Sequence, residues 1–231
     1  MQITDLTLRS HNLTVQRDFY HYMLGLSVIA ETRTRITFKI GDTHLTFEHT
    51  PAFATGIYHY AFNIPESQFD EAKTWLSDRT DLMRDEYGED DFVSQNWNAR
   101  QFYFRDGEGN IAEFIARHTL KTGVNRPFDQ YSLLGVSEVG MAFPSVMDGV
   151  RLLQKNLHLP VYRGTPSPAF TAMGDEHGLL ILVPEGCPWF PTLDEKAEIL
   201  PVQVTFLGMT DSYKFTDQPY TITGVEVPAE G

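Results

Sequence analysis

Asp5-Leu-Thr-Leu-Arg-Ser10, followed a few residues later by Asp18-Phe-Tyr-His-Tyr-Met-Leu-Gly-Leu26, is the stretch that decides the fold. Asp5, Thr7 and Arg9 alternate with Leu6 and Leu8, the period of a half-buried strand. Phe19, Tyr20, Met23 and Leu24 then fall at helical spacing, and Gly25 stands where a helix C-cap belongs. Ile36-Thr-Phe-Lys-Ile40 and His44-Leu-Thr-Phe-Glu48 alternate again, and Gly41-Asp42 between them is a hairpin signal. The unit reads as βαβββ.

The unit recurs. Residues 138–159 repeat residues 5–26 at an offset of 138 − 5 = 133, which also relates Leu24 to Leu157 and Gly41-Asp-Thr-His44 to Gly174-Asp-Glu-His177. A constant offset over three landmarks marks an internal duplication. The order also restarts at Tyr58-His-Tyr-Ala-Phe-Asn-Ile64, a strand ended by Pro65. Phe69, Ala72 and Leu76 form one helical face behind it. Gln101-Phe-Tyr-Phe-Arg105 and Ile111-Ala-Glu-Phe-Ile115 are strands joined by the glycine-rich turn Asp106-Gly-Glu-Gly-Asn110. A fourth, poorer copy begins at Pro201-Val-Gln-Val-Thr-Phe206 and lacks a convincing helix. Residues 119–132 have no periodicity and read as a linker. Residues 1–118 and 133–231 are the expected two domains, although tight packing into one body would leave the same sequence signature.

Composition narrows the function. Of 231 residues, 42% are hydrophobic and 21% charged, the balance of a folded globular chain. Eighteen basic against 31 acidic residues give −13, which argues against nucleic acid or an anionic membrane as partner. No apolar run reaches the roughly 20 residues of a membrane span. Met1-Gln-Ile-Thr-Asp5 shows no secretory signal, and a lone cysteine, Cys187, fits a reducing compartment, so a cytoplasmic location is expected. No activating base is evident near Cys187, which argues against a nucleophilic thiol. Residues 78–98 crowd Asp78, Asp81, Asp85, Glu86, Glu89, Asp90 and Asp91 around Tyr87, Phe92 and Trp97. They read as a solvated acidic loop or as a lid whose aromatics cover a ligand.

Asp18-Phe-Tyr-His-Tyr-Met-Leu-Gly-Leu26, His59-Tyr-Ala-Phe62 and Tyr103-Phe-Arg-Asp-Gly-Glu-Gly-Asn-Ile-Ala-Glu113 resemble the vicinal oxygen chelate superfamily, which holds glyoxalase I, extradiol dioxygenases and the bleomycin and fosfomycin resistance proteins. The resemblance covers residues 3–118 well and 134–183 more loosely. It implies an α+β fold of paired βαβββ modules forming half-open curved sheets, duplicated here with a degenerate second half. It also implies a divalent metal on the inner wall, held by the first inward residue of a module's first strand and by a last-strand glutamate. By position those residues are Asp5, His59 and Glu113. Thr46 falls where glyoxalase-type members carry a further glutamate, and His44 lies on the same strand face as Thr46. In the second half Glu138 and Gln203 hold the first-strand places, Leu179 the place of Thr46, and Glu226 a distant last-strand position. That half reads as having no metal of its own.

One imidazole and two carboxylates suit Mn²⁺, Fe²⁺, Mg²⁺ or Zn²⁺, with positions left for a substrate. Each residue also has a structural alternative: a strand-start role for Asp5, a core hydrogen bond for His59, a basic partner for Glu113. Tyr103, ten residues before Glu113, matches a dioxygenase tyrosine, which makes Glu113 and Tyr103 the expected catalytic pair, with a core tyrosine as the alternative reading. The dioxygenase acid/base histidine upstream of it is missing, however, and Gly107 replaces the usual proline. Three functions follow. The first is a metal-dependent lyase, isomerase or ring-cleaving dioxygenase acting on a small substrate with adjacent oxygens. The second is a metal-free small-molecule-binding protein of the bleomycin-resistance type, and the third a protein scaffold.

Overall fold

The computed structural model describes residues 1–51 and 56–227. The first module runs β1 (Gln2–Ser10), α1 (Leu13–Arg17), β2 (Ser27–Glu31), β3 (Arg35–Ile40) and β4 (Thr43–His49). Asn12 caps α1 by accepting from the Thr14 and Val15 amides, and the helix widens into a π-helical segment, Asp18–Met23. The segment stops where Gly25 takes φ +73° and its amide donates to the His21 carbonyl. The second module is β5 (His59–Ile64), α2 (Phe69–Ser77), β6 (Phe92–Ser94), β7 (Ala99–Arg105) and β8 (Ile111–Arg117). The third is β9 (Gly135–Phe143), α3 (Val146–Leu157), β10 (Thr171–Asp175) and β11 (Gly178–Pro184). The fourth holds only strands: β12 (Val202–Leu207), β13 (Tyr213–Lys214) and β14 (Tyr220–Val225). The duplication is visible in the backbone. His158 ends α3 at φ +54°, 133 positions after Gly25, so the left-handed terminus persists where glycine does not.

The strands form two mixed seven-stranded sheets, ordered β13-β14-β12-β1-β4-β3-β2 and β10-β11-β9-β5-β8-β7-β6. The α+β architecture of repeated βαβββ units is the one expected: among the described residues the first two units are complete, while the third lacks one strand and the fourth lacks its helix and one strand. Which modules adjoin is settled by two antiparallel pairings, β1 with β12 and β5 with β9. Module one therefore shares a sheet with module four, and module two with module three. Hydrogen bonding crosses residues 119–132 in both sheets.

Alternation divides each central strand between two environments. Tyr60, Phe62 and Ile64 of β5, Phe114 of β8 and Val139 and Met141 of β9 enter one large core, together with Leu6, Leu8, Phe38 and Phe47 of the first sheet. His59, Ala61 and Asn63 point the other way, as do Glu113 and Arg117 of β8. The glycine-rich turn is fixed by Asp106. Its buried carboxylate accepts from the Glu108 amide, the Asn110 amide and side chain, Tyr60 Oη at 2.6 Å and Gln16 Nε2 at 2.8 Å. One aspartate thus ties α1 to the second module, which gives the Arg-Asp-x-x-Gly-Asn motif a structural meaning. No helix among the described residues is long and apolar enough to cross a membrane.

Candidate metal centre

β5 lies between β8 and β9, and Ala61 is the pivot. It stands opposite Glu113 on β8 and opposite Glu138 on β9, so its methyl group separates two glutamates on one face. His59 precedes Ala61 by two residues and projects from the same face. One ligand atom from each of His59, Glu113 and Glu138 lies within 4.8 Å of the others, and all three residues are buried. His59 Nε2 is 3.6 Å from Glu113 Oε2.

Burial dominates the electrostatics. It draws the His59 pKa down to about 4, so the imidazole is neutral at pH 7. His59 Nδ1 lies 3.2 Å from the Ile111 carbonyl, which can only accept, so the proton sits on Nδ1 and the Nε2 lone pair is free. Burial and then the charge of Glu138 push the Glu113 carboxyl up, while Arg117 and a hydrogen bond from Tyr103 pull against them. Burial likewise raises Glu138, against its ion pair with Arg117. Tyr103, opposite Glu113 on β7, keeps its proton because burial and then both carboxylates disfavour the phenolate. Two buried carboxylates face a single guanidinium, so full ionisation leaves one negative charge unbalanced, which a cation between them would relieve. An imidazole and two carboxylate oxygens are the donor set of a divalent-metal site, and the group is able to hold one.

The cluster forms the floor of a cavity of about 470 Å³ walled by Trp97, Gln101, Phe170, Ile181, Trp189 and Phe190. No lysine or arginine lines it among the described residues. The Trp189 ring lies 5.1 Å from His59, centroid to centroid. It fits because residue 140 is glycine: a β-carbon there would meet the indole at 2.5 Å.

The structure brings two of the three expected ligands together and replaces the third. His59 and Glu113 meet; Asp5 does not join them. It lies on the other sheet, half exposed, with its carboxylate 3.2 Å from His44 Nδ1. The physical reason is the module pairing, since β12 and β4 flank β1 and leave no place for β5. Glu138 supplies the third donor. The 133-residue repeat already set it equivalent to Asp5, but no local signal states which first strands adjoin. The second half, expected to have no metal of its own, contributes Glu138 to the cluster that His59 and Glu113 begin. Register also places Ile181, not Leu179, level with Glu113, since Glu138 pairs with Leu179 as His59 pairs with Ile111. Thr46 is bonded to Thr37, Glu226 is exposed beyond β14, and Cys187 lies at the cavity wall. Within residues 78–98, Trp97 walls the cavity and Phe92 packs on Tyr103 and Phe190. Tyr87 faces solvent, and Asp90 and Asp91 pair with Lys73, Arg84 and Arg100.

Among solved structures the chain is similar to a candidate dioxygenase from Bacillus subtilis, at 15% identity over 89% of this chain and 70% of that one, with a TM-score of 0.62. It is similar also to glyoxalase I from Zea mays, at 12% identity over 88% and 74%, with a TM-score of 0.54. No family model and no curated protein matches the sequence. At these identities the likeness is one of fold alone: the chain has the fold of these two proteins.

Proposed function

We propose that the protein is a divalent-metal-dependent enzyme. It takes a small substrate through adjacent oxygens at an ion held by His59, Glu113 and Glu138, in a reaction of lyase, isomerase or ring-cleaving dioxygenase type. The observation that carries this reading is the convergence of three buried ligand atoms within 4.8 Å at the floor of an aromatic-walled cavity. A bound Mn²⁺, Fe²⁺, Zn²⁺ or Mg²⁺ supplies Lewis acidity toward the substrate oxygens. The chain's own groups do the remainder. His59 offers Nε2 without a proton to lose, the Tyr103 hydroxyl donates a hydrogen bond, and Glu113 is the carboxylate placed to take a proton. Trp189 packs beside His59 and leaves one side of the floor open to a substrate.

Elemental analysis of protein purified without added metal tests the reading. A near-stoichiometric divalent ion is expected, lost in His59→Ala and in Glu138→Gln but retained in Asp5→Asn. Metal content unchanged by His59→Ala removes the centre from this site. The second reading, a metal-free binding protein, is favoured by one observation: Arg117 already pairs with Glu138 below an aromatic-walled cavity. It gains if the purified protein carries no metal.

A further inference from the structure

Arg117, the last residue of β8, is 1% exposed. Its guanidinium reaches across β5: Nε donates to Asn63 Oδ1 at 3.2 Å and Nη2 donates to Glu138 Oε1. Asn63 is itself held, its Nδ2 donating to the Glu176 carbonyl at 3.1 Å. The guanidinium carbon lies 5.2 Å from the ring of Trp97, a wall of the cavity. Arg117 Nη1 has no hydrogen-bond partner among the described residues. The arginine is therefore spent on Glu138 and Asn63 rather than on a full set of acceptors.

Glu138 needs such a hold. It is the one donor supplied from beyond residues 119–132, and the register between β5 and β9 shifts between Ala61 and Phe62, beside the residue it faces. An irregularity of this kind re-aims side chains rather than fixing them. The planar fork of the guanidinium spans two partners, Nε on Asn63 and Nη2 on Glu138, and so fixes the line along which it meets the carboxylate.

Building on the metal centre proposed above, we infer that Arg117 is its positioning residue: it takes one carboxylate oxygen of Glu138 and presents the other to the ion, level with His59 and Glu113. The competing role is charge neutralisation alone, and the two roles differ in sign. A positive charge beside a divalent ion repels it, so removing a mere neutraliser tightens metal binding. Removing a group that orients a ligand loosens it, by about 10–100-fold for comparable outer partners.

Mn²⁺ titration of the full chain, followed by the electron paramagnetic resonance of free Mn²⁺, separates them. Arg117→Lys keeps the charge and loses the fork, and weakens Mn²⁺ binding at least about tenfold. Asn63→Ala leaves both charges in place and frees the guanidinium, weakening binding several-fold. Thermal midpoints recorded in parallel show that each variant is folded. Unchanged or tighter Mn²⁺ binding by folded Arg117→Lys overturns the positioning role and leaves the metal centre standing; if that variant does not fold, Asn63→Ala decides by the same criterion. A wild-type chain that takes up no Mn²⁺ overturns the metal centre, and this inference with it.

Discussion

Gly140→Ala tests how the cavity wall is built. The new β-carbon would lie 2.5 Å from Trp189 Cη2 and 3.0 Å from Cζ2, inside any real contact, and β9 is hydrogen-bonded on both sides. The indole must give way. Trp189 is only 6% exposed, and a tryptophan buries roughly 200 Å², worth about 5 kcal/mol at roughly 25 cal/mol per Å². A ring pushed half out of its seat forfeits about 2–2.5 kcal/mol of that, within the range of about 1–3 kcal/mol for overpacked sites. Urea unfolding measures the loss, and a double-mutant cycle with Trp189→Ala assigns it, because the cost of Gly140→Ala should nearly vanish once the indole is gone. Displacing the ring also wets His59, whose pKa should climb from about 4 toward the ordinary histidine value in an NMR titration. A loss below about 0.5 kcal/mol, or an equal loss in the Trp189→Ala background, refutes the claim that Gly140 exists to seat the indole.

Asp106→Ala leaves the Tyr60 hydroxyl with Tyr20 alone, removes the acceptor of the Asn110 side chain and unties α1 from the second module. It should cost about 3–5 kcal/mol, and a loss under about 1 kcal/mol in urea unfolding would show the motif to be dispensable. His59 has its folded pKa, about 4, below the unfolded value. Its neutral form therefore contributes stability that is present above about pH 6.5 and lost as pH falls through about 4. Between those limits wild type should lose about 3 kcal/mol more than His59→Phe, and parallel pH profiles would contradict the assignment. Burial raises Glu113, so metal uptake must displace its proton. Mn²⁺ affinity should fall on acidification, by up to about tenfold per pH unit, and an affinity flat from pH 8 to 5 would exclude Glu113 as ligand. Thr7 faces Thr46 and Gln203 as Ala61 faces Glu113 and Glu138, with Asp5 in the place of His59. The combined variant Asp5→His, Thr7→Ala, Thr46→Glu, Gln203→Glu should bind a second equivalent of Mn²⁺, and an unchanged stoichiometry would show that register alone does not make the site.

The modules were legible because they are local. Alternation in β1 and β5, Gly25 at a left-handed terminus and Gly41 in the β3–β4 turn are statements about neighbours along the chain, and the repeat multiplies them. His59 and Glu113 were legible for a related reason: both belong to one module, and the parallel pairing of its first and last strands fixes their separation. Glu138 was seen but not placed. Joining β5 to β9 rather than to β1 is decided by which apolar faces bury one another over distances of many tens of residues, and neither period nor spacing records that choice. Asp5 follows from its first-strand position in module one, but β1 and β5 lie in different sheets. The seat of Trp189 over Gly140 is a contact about 50 residues away in sequence, which no local signal records.

The repeated modules make two comparable floors, and only one of them gathers donors. At the pivot positions of the second sheet stand Ala61 and Gly140, the smallest side chains available; at the corresponding positions of the first sheet stand Thr7 and Thr205. A methyl group between two glutamates leaves an ion's width clear, and a bare α-carbon admits an indole above it. Threonines fill that space. Thr46 has turned its hydroxyl to Thr37, and Asp5 has turned to His44 at half exposure, where a carboxylate costs little and needs no metal. In the second sheet the opposite holds. Glu113 and Glu138 are held below 4% exposure in a wall of aromatics, a placement that is costly unless Arg117 and a cation share their charge. The difference between the two sheets is thus one of volume at the pivot first, and of donor identity second.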